Sequence, residues 1–240
     1  ALKVYGEKFS DKQKRVRASS PYGHLPGWKL QSVIVKAGDD CRQELMALQL
    51  LQQFKNIFME AGLPLYIRDY AVLVTSSESG LIETVVDSLS IHTIKSNSGT
   101  SLRRHFEDKF VKGSREFLQA QRNFVESMAA YSVVCYLLQV KDRHNSNILI
   151  DQEGRLIHID FGFMLSNSPG GINFETAPFK LTREILEVMD SDAEGKPSEL
   201  FDYYKVLVIQ GFLACRKHSE QITVLIDIMH KSGFPCFKAG

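Results

Sequence analysis

Three residues, Asp142, Asn147 and Asp160, have the types and spacing that chemistry at a phosphate would need. Asp142 and Asn147 stand five positions apart in Val140-Lys141-Asp142-Arg143-His144-Asn145-Ser146-Asn147, and Asp160 follows Asp142 by eighteen in His158-Ile159-Asp160-Phe161-Gly162. A carboxylate and a side-chain amide oxygen are hard donors of the kind that magnesium takes in octahedral geometry, with phosphate oxygens completing the shell. Asp160 and Asn147 are therefore read as ligands of a metal-bound nucleoside triphosphate, with magnesium the expected ion and manganese its alternative. Asp142 serves poorly as a third ligand if it must face an acceptor hydroxyl, so it is assigned to orient that hydroxyl and receive its proton. The transition state of phosphoryl transfer is loose, and positioning and charge neutralisation carry most of its catalysis. His144 is placed either to accept a second proton or to stabilise charge on the transferring group.

The elements around these residues explain how they meet. Asn147–Asp151 reads as a strand, Gln152-Glu153-Gly154 as a turn and Arg155–Asp160 as the returning strand, so a hairpin brings Asn147 and Asp160 to one end. Protein kinases also place an Asp five residues before a metal-binding Asn, with a metal-binding Asp-Phe-Gly further on. Here His follows the first Asp instead of preceding it, which argues against an ordinary protein kinase. The opposite wall needs a lysine reaching phosphates, with an acidic partner on the next helix. Lys36 ends a strand, and Glu44 lies eight residues on in the first turns of the following helix, where the two can pair. Asp39 or Asp40 is read as the cap of that helix. The Ser19–His24 loop offers hydroxyls and backbone N–H groups to phosphates, although it has neither a Walker A pattern nor Gly-x-Gly-x-x-Gly.

At 240 residues the chain can bury one substantial core, as one domain of two lobes or two small domains. With 44% hydrophobic and 24% charged residues it has an ordinary globular composition, and a net charge of +1 provides no global field to recruit nucleic acid. Cys41, Cys135, Cys215 and Cys236 are widely separated, which fits reduced thiols in a cytosolic enzyme better than a disulfide framework or zinc site. No secretory signal is visible, and a start on Ala1 reads as a fragment. The apolar stretch near Ser132–Val140 is too short to span a bilayer, so any membrane is visited at its surface.

Residues 7–18 are helix-prone, with a basic face (Lys8, Lys12, Lys14, Arg15, Arg17) read as solvated. Trp28–Lys36 alternates as a strand. A helix runs to Glu60, its stripe of Leu45, Leu48, Leu51, Phe54 and Phe58 forming core. Pro64–Ile67 and Ala71–Thr75 read as short strands and Leu81–Val85 as an edge strand. Helical pattern begins at Leu102, with Phe117–Leu138 the longest run, and resumes at Thr182–Met189, Ser198–Lys217 and Glu220–Ser232. The expected fold class is α+β: a strand-rich lobe over residues 1–85 and a mainly helical lobe over 86–240, with a nucleotide cleft between.

Val33-Ile34-Val35-Lys36-Ala37-Gly38-Asp39-Asp40-Cys41-Arg42-Gln43-Glu44, the Asp142–Asn147 loop and His158–Gly162 together make the chain resemble the phosphoinositide kinase family. Ser20-Pro21-Tyr22-Gly23-His24-Leu25-Pro26, Ala120-Gln121-Arg122-Asn123-Phe124, Tyr136–Asn145 and Pro235-Cys236-Phe237 bring it closest to that family's 4-kinases, over almost the whole chain. The resemblance implies a bilobal kinase-like fold, ATP with magnesium, and phosphorylation of phosphatidylinositol at its 4-hydroxyl. It implies a cytoplasmic enzyme at a membrane surface, at the Golgi, brought there by recruiting proteins. It also places Ser20 in the phosphate loop, Lys36 and Glu44 as the phosphate-lysine pair, Tyr70 at the back of the nucleotide pocket and Val85 as the hinge contact to adenine. Ser146 departs from the Gly that close relatives often carry.

The segment Phe163–Phe179 is expected over the lipid headgroup and contains no Lys or Arg; Lys180 alone follows it. Extra ring phosphates would demand several cations, so the unphosphorylated headgroup fits better, with Lys180 meeting its phosphodiester. Met164, Leu165, Ile172 and Phe174 either dip into the interface or pack on the lobe. The rivals are a phosphatidylinositol 3-kinase, an atypical protein kinase sharing the Asp-Arg-His loop, and a non-catalytic nucleotide-binding scaffold.

Overall fold

The computed structural model describes residues 5–99, 101–171 and 177–238. Helix α1 (Phe9–Ser19) holds the charged run and buries none of its residues, as a solvated face requires. Strand β1 (Val33–Ala37) pairs antiparallel with β3 (Ser79–Glu83), and β3 pairs with β2 (Val72–Ser76), giving the order β1–β3–β2. The strand expected at Leu81–Val85 is thus central rather than an edge, and it ends at Glu83. Its own residues could not reveal this, because position in a sheet depends on which partners arrive on either side. The strand expected from Trp28 begins only at Val33, opposite Glu83, with one further bond from Thr84 N–H to the Ser32 carbonyl at 2.9 Å.

Pro64–Ile67 joins no sheet. Leu65 and Ile67 are buried, so their alternation reflects packing against a helix rather than pairing with a strand. Tyr131 of that helix accepts the Arg68 N–H through its hydroxyl at 3.2 Å.

Helix α2 (Arg42–Glu60) has Cys41, not Asp39 or Asp40, at its N-cap, with no side-chain capping bond; Asp40, one residue earlier, accepts the Arg42 N–H through Oδ1 at 3.0 Å. The second sheet has the order β4 (Ser88–Ser90), β5 (Ile148–Asp151), β6 (Leu156–His158). Val85 lies between the two sheets. Helices α3 (Ile91–Ser98), α4 (Leu102–Lys109) and α5 (Arg115–Leu138) open on Ser90, Ser101 and Ser114, whose side chains accept backbone N–H groups of the first turn. The second half of α5 is buried almost all round, so it forms the axis of the larger lobe. Helices α6 (Arg183–Val188), α7 (Glu199–Lys217) and α8 (Ser219–Met229) follow, with α7 packed along α5. The buried face of α2 reaches across to α7 and α8, tying the two lobes together. The result is the mixed, bilobal kinase-like fold anticipated from the chain.

Candidate active site

The catalytic-loop wall is built on the β5–β6 hairpin. Ile148 faces His158 across the ladder, and the Ile159 N–H donates to the Asn147 carbonyl at 3.1 Å, so Asn147 and Asp160 emerge side by side. The turn needs Gly154: its φ is 83°, and a Cβ there would lie 2.9 Å from the Ala120 carbonyl oxygen. Asp142 and Asp160 have φ of 62° and 61°, a left-handed conformation unfavourable for residues with a Cβ. Arg143, expected in the motif but given no role there, holds both bends. Its buried guanidinium donates to the carbonyls of Lys141 (2.9 Å), Ile159 (2.8 Å) and Asp160, and lies 5.6 Å from the Phe161 ring centroid.

Asn147 Nδ2 donates to the Asp142 carbonyl at 3.0 Å, which turns Oδ1 into the atom for a metal. His144 Nδ1 accepts the Ser146 N–H at 3.2 Å, so the proton of the neutral ring resides on Nε2, 3.8 Å from Asp142 Oδ2. His158, by contrast, is a packed strand residue. It stacks on Tyr131 at 4.8 Å between centroids, and burial pushes its pKa well below the usual histidine value.

The other wall comes from β1 and α2. Lys36, Cys41, Gln43, Glu44, Asp160 and Gly162 are among the residues lining a cleft of about 300 Å³. Lys36 and Asp160 thus face one space, but the expected Lys36–Glu44 ion pair is absent: among the described residues Lys36 forms none. Both Glu44 oxygens are already engaged, by the Tyr70 hydroxyl at 2.5 Å and the Phe161 N–H at 2.7 Å. Burial raises the Glu44 pKa, and it raises Tyr70 well above the ordinary phenol value, with Glu44 adding to the effect. Tyr70 therefore stands behind Glu44 as its donor rather than on the cleft surface. Val85 lies in the crossing between the sheets, and its carbonyl accepts the Ser88 hydroxyl at 2.6 Å. Ser20 ends α1: its N–H donates to the Val16 carbonyl and its hydroxyl accepts the Tyr22 N–H at 3.2 Å. That loop is folded back on Arg17, whose Nε donates to the Gly23 carbonyl, and Ser20 is not among the residues lining the Lys36 cleft.

A second hollow, of about 620 Å³, opens beside the catalytic loop and is lined by Val140, Arg143, Phe179, Lys180, Leu181 and Thr182. Lys180 Nζ donates to Asn145 Oδ1 at 2.7 Å, and Asn145 Nδ2 donates to Glu184 at 3.4 Å. The cation expected to meet a headgroup phosphate is thus held by Asn145, a residue of the catalytic-loop motif to which the sequence assigned no role. Met164 is fully buried and Leu165 packs against the core, which places both on the lobe rather than in a membrane interface. Ile172 and Phe174 lie outside the described residues.

The sequence profile of the family described as phosphatidylinositol 3- and 4-kinase matches residues 30–239. Phosphatidylinositol 4-kinase beta 2 of Arabidopsis thaliana is 66% identical over 237 residues, covering 98% of this chain and 21% of the relative. Phosphatidylinositol 4-kinase beta 1 of the same plant matches equally, at 66% over 237 residues and again 21% of its length. The human phosphatidylinositol 4-kinase beta is 52% identical over 233 residues, 96% of this chain and 28% of its own length. The chain therefore spans between about a fifth and under a third of these relatives.

Proposed function

We propose that this chain, which belongs to the phosphatidylinositol 3- and 4-kinase family, carries a catalytic centre that moves the γ-phosphoryl group of ATP onto the 4-hydroxyl of phosphatidylinositol. The observation that carries this reading is the emergence of Asn147 and Asp160 together at one end of a hairpin, with Lys36 facing Asp160 across a cleft. The choice of the 4-hydroxyl follows from what the most similar relatives are named.

Among the described residues no group of three His, Cys, Asp or Glu side chains forms a metal cage. One carboxylate and one amide oxygen fit a magnesium ion that keeps phosphate oxygens as its remaining ligands. When bound, that ion supplies charge neutralisation on the phosphate oxygens. Lys36 adds positive charge from the opposite wall. Asp142 orients the inositol hydroxyl and receives its proton. His144, whose Nε2 lies 3.8 Å from Asp142 Oδ2, either takes a second proton or stabilises charge on the transferring group. Lys180, held by Asn145, meets the phosphodiester of the lipid. No helix among the described residues is long and apolar enough to cross a membrane.

Incubating the full chain with labelled ATP and phosphatidylinositol vesicles, then separating the product isomers, tests this reading. Phosphatidylinositol 4-phosphate is expected. A 3-phosphate product, or label passing only to a protein substrate, would replace it with one of the two rival kinase readings.

A further inference from the structure

Gln43 is 5% exposed, at the start of α2, immediately before Glu44. Its amide nitrogen donates to the carbonyls of Gly162 (2.7 Å) and Phe161 (3.3 Å), and its amide oxygen accepts the Cys236 N–H at 3.2 Å. A carbonyl can only accept and an N–H can only donate, so these three partners fix which way the amide points. Gln43 and Glu44 thus grip the Asp160-Phe161-Gly162 backbone together, one by its carbonyls and the other by the Phe161 N–H. The third bond of Gln43 leads elsewhere, to the turn at Pro235–Phe237. That turn has its own fastening: Ser166 Oγ donates to the Cys236 carbonyl at 2.6 Å, and the Arg42 guanidinium lies 5.7 Å from the Phe234 ring centroid. Pro235 also lines the cleft beside Lys36 and Asp160.

We infer that Gln43 is a positioning residue for this reaction, which fixes the backbone that carries Asp160 and couples it to the Phe234–Phe237 turn. The inference rests on the kinase reading above for its consequence in catalysis, but the coupling itself is a property of the chain. A buried glutamine with a merely structural role would lower stability and leave the metal dependence of the folded enzyme alone. A positioning role predicts that loosening the turn is felt at Asp160.

Gln43→Met keeps the volume and removes all three bonds. Ser166→Ala removes the side-chain bonds to the Cys236 and Lys238 carbonyls from an exposed position far less demanding of the fold, and leaves only the backbone N–H of residue 166 on the Cys236 carbonyl. In the full chain, the magnesium concentration for half-maximal activity should rise roughly fivefold in Gln43→Met, the worth of one hydrogen bond in equilibrium terms, and about twofold in Ser166→Ala. Amide hydrogen exchange, which needs no activity, should quicken across residues 160–162 and 234–237 together in both variants. In the Gln43→Met background, Ser166→Ala should have no further effect at 160–162. Should Gln43→Met fail to fold, Ser166→Ala still decides. Faster exchange confined to 234–237, with an unchanged magnesium midpoint, overturns the coupling. A wild-type chain without lipid kinase activity would sink the functional reading instead and leave the exchange result to judge Gln43.

Discussion

The two walls of the cleft are made differently. On the hairpin side, almost every group is held by the chain itself: Arg143 clamps the carbonyls on either side of the site, Asn147 bonds the Asp142 carbonyl, and His158 and Tyr131 stack beneath. On the β1 side, the sheet that carries Lys36 is thinly covered, with Val35 71% and Leu73 61% exposed, and Lys36 forms no ion pair among the described residues. One wall is preorganised, with two acidic residues kept in left-handed backbone by surrounding bonds. The other offers a cation whose organisation is left to the triphosphate. The difference matches what phosphoryl transfer asks, since metal ligands and the proton acceptor must be placed before charge develops, whereas a phosphate-binding lysine can follow its ligand.

The sharpest break in that contrast is Asp160→Asn. Asparagine tolerates the same left-handed backbone, so only the metal-binding charge is lost. Turnover should fall by roughly 1,000-fold while Tm stays within about 2 °C, and near-normal lipid phosphorylation would remove Asp160 from the metal site.

Lys36→Met and Glu44→Gln separate the lysine from its expected partner. Lys36→Met should lower kcat/KM for ATP by about 100-fold with little change in Tm, because it breaks no ion pair in the resting protein. Glu44→Gln turns an amide nitrogen toward one of two buried donors and should cost about 1–3 kcal/mol of stability as well as activity. Equal Tm losses in the two variants would mean that Lys36 and Glu44 pair after all.

Lys180→Met should raise KM for phosphatidylinositol about tenfold and leave KM for ATP unchanged, as measured on mixed vesicles. A selective effect on ATP would move Lys180 to the nucleotide side.

Acid should loosen the larger lobe. Burial depresses His105 to about 4 and holds His158 well below the ordinary histidine value. Both groups therefore bind a proton more readily in the unfolded chain, so their stabilising effect is complete above pH about 6.5 and is lost as pH falls through the folded values. Tm should drop by several degrees between pH 7 and 5, and a flat profile would mean that these rings are protonated in the native protein. At the small end, Val35→Thr on the open face of the first sheet should change stability by no more than about 0.5 kcal/mol in denaturant titration.

Much of the site was legible because its spacing is local. Asn147, the turn at Gly154 and Asp160 belong to one hairpin, whose first strand alternates buried Ile148 and Ile150 with half-buried neighbours, while Leu156, Ile157 and His158 of the second are all buried and leave the register to the turn. The long helix and the later helices were legible from their apolar period, with ends shifted by up to three residues, the largest where α8 gives way to a 3-10 turn at His230–Ser232. Pro64–Ile67 misled for a physical reason: burial of Leu65 and Ile67, the former beside Gly211 of α7, leaves the same two-residue period as a strand. β3 misled because strand order is a property of partners.

Residue types and short spacings determined the chemistry proposed at phosphate, the hairpin that pairs the two proposed metal ligands, and the division between a strand-rich and a helical lobe. These depend on contacts within a few residues, where the chain's own periodicity is the dominant force. Which groups hold the site in place was settled only when the chain closed on itself. Glu44 meets Tyr70 and a backbone N–H rather than Lys36, Arg143 and Gln43 bind carbonyls, and Lys180 finds Asn145. Most of these partners are backbone groups or distant polar side chains, and every residue offers the same N–H and C=O, so no pattern along the chain distinguishes the ones that are used.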